Sequence, residues 1–155
     1  MSEVINFLNG KLSHKINRDR ITNILDFALL WNLFELKFFD KYFTITRIDS
    51  FIENHSNNIN PDILEKTYNY FKERYFENWN FSNNFNNLCN DEKSKDFIFN
   101  SFTNNKNKIK TVILIIARLR NNLFHGEKDV RNLEAQEENF WIANKFLMEL
   151  LKDIK

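Results

Sequence analysis

Two glycines and one proline in 155 residues constrain this chain more than any other feature. Turns that need a positive or a preset φ draw on these two residue types. A fold of many short strands needs such a turn about every 8–12 residues, so the composition argues against a many-stranded β fold. Gly-rich phosphate loops are excluded, because Gly10 and Gly126 alone cannot spell a P-loop or a dinucleotide fingerprint. What remains is a helical chain, and its length suits a single domain over residues 1–155 with its own core.

The apolar pattern is helical nearly throughout. Residues 2–8 form a short helix stopped by Asn9-Gly10. A long helix over residues 17–42 carries Ile21, Ile24, Leu25, Ala28, Leu29, Trp31, Leu33, Leu36 and Phe39 as one wide stripe. Its middle, residues 27–31, is apolar all round and is expected to be buried on every side. A further helix covers residues 44–53, and 54–60 is a polar loop. Asn60-Pro61 then opens a helix to about residue 78, with Asn as N-cap and Pro at the first position. An Asn-rich loop over 80–90, a helix over 92–102 capped by Asp91, and a break at 104–107 follow. The most apolar helix spans 108–124 and ends at Gly126, and Asp129 caps a last helix to about residue 154. The expected fold is all-α: a single-domain antiparallel helical bundle of five to six helices with no strand, its core filled mainly by the 17 phenylalanines.

The 22 basic and 21 acidic residues leave a net charge of +1. That excludes a grossly basic nucleic-acid coat or an acidic tail but allows a local basic patch. Cys89 is the single cysteine, so no internal disulfide or thiolate zinc cluster is expected, and no metal or other cofactor. Residues 1–15 lack the charged and apolar regions of a secretory leader, and the longest purely apolar run, residues 112–117, is far too short to span a bilayer. A cytoplasmic chain without membrane contact is expected.

One stretch carries possible chemistry: Arg118-Leu119-Arg120-Asn121-Asn122-Leu123-Phe124-His125-Gly126. A histidine can move a proton near neutral pH. An arginine can fork onto a phosphate and stabilise charge that grows in the transition state. Together they can cleave a phosphodiester without a metal. The stretch resembles the signature of HEPN domains (higher eukaryotes and prokaryotes nucleotide-binding), in which an Arg and a polar residue precede a His by four to six intervening residues. Arg120, Asn121 and His125 fit that pattern with four between Arg and His, and "FALLWNLFE" at residues 27–35 is similar to the first long helix of many such domains. The likeness covers nearly the whole chain as an architecture and about ten residues as a motif.

The resemblance implies a metal-independent endoribonuclease of toxin–antitoxin or antiviral defence type. The RNA 2′-hydroxyl would attack the adjacent phosphate, with His125 as general base or acid. Arg120, or Arg118 with it, would hold the phosphate, and Asn121 would orient either partner. Lys106, Lys108, Lys110 and Asn122 are candidate RNA contacts. It further implies a homodimer with the motif helix at the interface, and an antitoxin or defence-system protein as partner. A catalytically silent module that binds a protein or nucleotide is the alternative.

At about 100° per residue, Arg120 and His125 lie about 140° apart on a regular helix, whereas Arg118 shares a face with His125. The choice of arginine therefore stays open. Other readings stay open too. Arg120 and His125 can be a solvated helix end. Glu35 can be a buried partner for an active-site arginine or a residue at the edge of the stripe. Tyr75, Phe76, Trp79 and Phe81 can stack on bases or pack the core. The three lysines can steer RNA or decorate a solvated helix start. His14 and His55 read as surface residues. Some toxins of the family carry a modifiable Tyr two residues after the motif His, and this chain has Glu127 there.

Overall fold

The computed structural model describes residues 3–12, 15–77, 80–88, 104–124 and 135–154. The architecture is helical, as expected, but the described residues hold seven α-helices rather than five to six, and a short two-stranded hairpin where no strand was expected. In chain order the described elements are α1 (Glu3–Asn9), α2 (Arg18–Phe38), α3 (Ile48–His55), α4 (Pro61–Tyr75), a hairpin of β1 (Phe76–Glu77) and β2 (Asn80–Phe81), α5 (Asn83–Leu88), α6 (Asn105–Phe124) and α7 (Glu137–Leu151). The expected helix over 92–102 and the Asp129 cap lie outside the described residues.

Local chemistry sets several of the starts. The Asn17 and Asn60 side chains each accept the N–H two residues on, from Asp19 and Asp62, and Pro61 follows Asn60 as expected. Asn104 accepts the N–H of Asn107 at 2.9 Å, so the expected break at 104–107 is instead the cap and first turn of α6.

Three further expectations fail locally. α2 ends at Phe38, four residues early, because the chain turns through left-handed Asp40 (φ 52°) and Lys41 (φ 83°). The turn is held from both sides: the N–H groups of Phe39 and Lys41 donate to the Glu35 carbonyl, and Arg47 donates to the Phe39 carbonyl (2.8 Å) and the Asp40 carboxylate (2.7 Å). α4 ends at Tyr75, because Phe76 turns extended and pairs with Phe81, their rings 5.0 Å apart. The Asn-rich stretch after it contains α5, whose Phe85 is fully enclosed and stacks on Phe81 at 4.2 Å.

The core is aromatic. Phe27, Trp31, Phe34, Phe39, Phe71, Phe85, Phe140 and Phe146 are all under 2% exposed. α4 and α7 run antiparallel: the Asn60 N–H meets the Glu149 carboxylate at one end, and Asn139 meets Tyr70 and Tyr75 at the other. Burial pushes the Tyr75 hydroxyl up to about 12, so it stays protonated and available as a hydrogen-bond partner for Asn139. α6 is buried without interruption from Ile109 to Ala117 except at Lys110, whose stem is mostly covered. The expectation that residues 27–31 of α2 are enclosed on every side fails, since Leu29 is 71% exposed. No helix among the described residues is long and apolar enough to cross a membrane.

Candidate phosphate-binding end of the central helix

The last two turns of α6 carry Arg118, Arg120, Asn121 and Phe124 toward the surface, with Asn122 buried among them. Arg120 is held by three neighbours. Its Nη2 lies 3.7 Å from the Glu35 carboxylate, Nη1 donates to Asn121 Oδ1 at 3.2 Å, and its guanidinium sits 5.6 Å from the Phe124 ring centre. At 3.7 Å the Glu35 contact is an ion pair rather than a hydrogen bond. The Arg120 Nε–H is buried and has no hydrogen-bond partner among the described residues.

Glu35 is 8% exposed, on the inward edge of α2. Its Oε1 accepts the Phe43 N–H at 3.0 Å, which leaves Oε2 for the arginine. A carboxylate this buried is costly without such partners. Of the two readings of Glu35, the structure realises the buried partner. Helix geometry explains why Arg120 reaches it: Arg118 leaves α6 about 200° away. Arg118 is half-buried.

Asn122 is 7% exposed, and its amide donates to the Leu88 carbonyl at 3.2 Å, which ties the end of α5 to α6. Its side chain is therefore committed to the fold. The lysines stand at the other end of the helix. Lys108 bonds Glu65 at 2.6 Å and covers the Tyr68 ring, Lys110 bonds Asp49 at 2.5 Å, and Lys106 is exposed. The Lys108 ammonium holds the Glu65 carboxyl below its ordinary value. From Lys110 to Arg120 the helix rises about 15 Å, so the lysines and the motif arginines do not form one cluster.

His125 lies outside the described residues, as do Gly126, Glu127 and Trp79. Tyr75, Phe76 and Phe81 pack inward, as the core reading has it. Phe124 meets the Arg120 guanidinium because a spacing of four is the spacing at which helix side chains meet. Among the described residues no group of three or more His, Cys, Asp or Glu side chains is placed to hold a metal ion. The arrangement can present a guanidinium, pre-oriented by a buried carboxylate, to an anion at the helix end. No family model matches the chain, and comparisons with curated proteins and with solved structures returned no match.

Proposed function

We propose that this chain is a HEPN-type, metal-independent endoribonuclease of toxin–antitoxin or antiviral defence type, acting in the cytoplasm. The observation that carries the reading is the placement of Arg120 at the exit of the buried helix, held by Glu35 and Asn121 and five residues ahead of His125. Holding the guanidinium in place beforehand is what electrostatic stabilisation of a phosphorane-like transition state requires.

In this reaction His125 takes the proton from the RNA 2′-hydroxyl, and the 2′-oxygen attacks the neighbouring phosphorus. The bond to the 5′-oxygen breaks, that oxygen leaves with the proton that His125 gives back, and a 2′,3′-cyclic phosphate remains. Arg120 neutralises the charge on the non-bridging oxygens, and Asn121 keeps the guanidinium in plane with them. DNA lacks the nucleophile and is inert. The motif lies at the end of α6 that reaches the surface through Arg120, Asn121 and Phe124, so a partner or a second copy that engages the motif meets it there.

A second reading, a catalytically silent module of the same fold, is favoured by the contacts of Arg120 with Glu35, Asn121 and Phe124, which give the arginine a structural role of its own. Incubation with RNA in excess EDTA, wild type beside His125→Ala, separates the two. Cleavage by the wild type alone, leaving cyclic 3′ ends, supports the ribonuclease. Absence of cleavage by both, with binding of a partner protein indifferent to His125→Ala, supports the module.

A further inference from the structure

α2 has a second apolar face, and nothing among the described residues covers it. Leu25, Leu29, Leu33 and Leu36 are 59%, 71%, 39% and 51% exposed. Their spacing of four, four and three puts them on one stripe about 16 Å long. It points away from Phe27, Trp31 and Phe34, which fill the core from the opposite side of the same helix. A single exposed leucine needs no explanation, but four contiguous ones on a helix mark an interface.

We infer that the stripe is covered by a second copy of this chain, with α2 packed antiparallel against α2 about a two-fold axis level with residues 30 and 31. The inference stands apart from the ribonuclease reading. In this register Leu25 of one copy faces Leu36 of the other, and Leu29 faces Leu33, so the stripe is its own complement, as an isologous contact demands.

The charges on its flank select the direction. Asp26 and Lys37 are exposed, make no ion pair among the described residues, and lie within about 20° of each other around the helix, on one side of the stripe. In an antiparallel pair like flanks face each other, so Asp26 meets the partner's Lys37, and the symmetry makes this contact twice. In a parallel pair that flank would instead face the side bearing Ala28 and Asn32, where neither charge finds a partner. A bilayer-binding face would be bordered mainly by basic residues, whereas this stripe is bordered by Asp19 and Asp26 as well as by Arg18 and Lys37.

Sedimentation equilibrium of the full chain, carried into the high micromolar range, tests the inference. The wild type should show a concentration-dependent dimer. Leu29→Lys, which places a charge in the seam from both copies, should raise the dissociation constant by about 100-fold or more. Asp26→Lys and Lys37→Asp should each weaken it by about threefold, and the double variant should recover the wild-type value. All of these positions are exposed, so far-UV circular dichroism should be unchanged. A monomeric wild type overturns the inference and leaves the stripe to a helix of another protein. A Leu29→Lys chain that dimerises as well as the wild type overturns it as well, and failure of the double variant to recover overturns the antiparallel arrangement.

Discussion

α2 and α6 are the two longest helices of the fold, with 21 and 20 residues, and both read as strongly apolar. They use that character in opposite ways. α6 spends it inside: from Val112 to Ile116 every side chain is enclosed, and only the two ends carry exposed or half-exposed polar groups. α2 divides it, with Phe27, Trp31 and Phe34 in the core and four leucines outside. The difference teaches that an all-round apolar helix is either central to its own chain or shared with something else. The choice depends on what packs around it. α6 is flanked by α3, α4 and α5, whereas α2 meets α7 on one side and leaves its leucines open.

The sharpest way to break this contrast is a pair of truncations at matched depth along the two helices. Ile115→Ala, at a fully enclosed position of α6, should destabilise the chain by about 2–5 kcal/mol in urea unfolding. Leu29→Ala on the outer face of α2, measured dilute enough for single chains, should stay within about 0.5 kcal/mol of the wild type. Similar costs at the two positions would remove the distinction between the helices.

The two helices touch through one charged pair, which gives the next effect in size. Arg120→Ala should cost about 1–2 kcal/mol, because it strips a buried carboxylate of its cation while water still reaches the site. Combined with Glu35→Gln, which keeps an acceptor for the Phe43 N–H, it should show a coupling of about 0.5–1 kcal/mol. A coupling of zero would mean that Glu35 does not anchor the arginine.

Asn122→Ala should cost about 1 kcal/mol by leaving the Leu88 carbonyl without its amide donor, and equilibrium unfolding reads it directly. The smallest effect belongs to the start of α6. Glu65 has a lowered folded-state pKa because of Lys108, so the pair contributes above the ordinary glutamate value and is lost as the pH falls through the lowered one. Stability curves of the wild type and Lys108→Ala should therefore lie slightly apart at neutral pH and converge in acid. Curves that diverge in acid would reverse the sign.

Much of this was legible in the residues. The scarcity of glycine and proline argued against a many-stranded β fold, and Asn60-Pro61 marked its helix start because both residues act locally. The end of α2 was not legible: no glycine stands there, and the left-handed turn depends on Arg47, which reaches back to Phe39 and Asp40. The small hairpin and α5 were hidden for a similar reason, since Phe76, Phe81 and Phe85 form one aromatic stack that overrides an Asn-rich local sequence. Periodicity found the leucines of α2 but could not say which of two apolar faces would meet the core. At the candidate site, the sequence offered Glu35 as either a partner or an edge residue, because the arginine that decides between them lies far away along the chain. It did not reveal that Asn122 is committed to holding α5.

We propose that Arg120, anchored by Glu35, holds the scissile phosphate. The most direct measurement is the single-turnover rate of RNA cleavage in EDTA by Arg120→Ala and by Arg118→Ala beside the wild type. Loss of the transition-state contact should slow Arg120→Ala by at least about 100-fold, with Arg118→Ala retaining clearly more activity. Full activity in both variants would contradict the account.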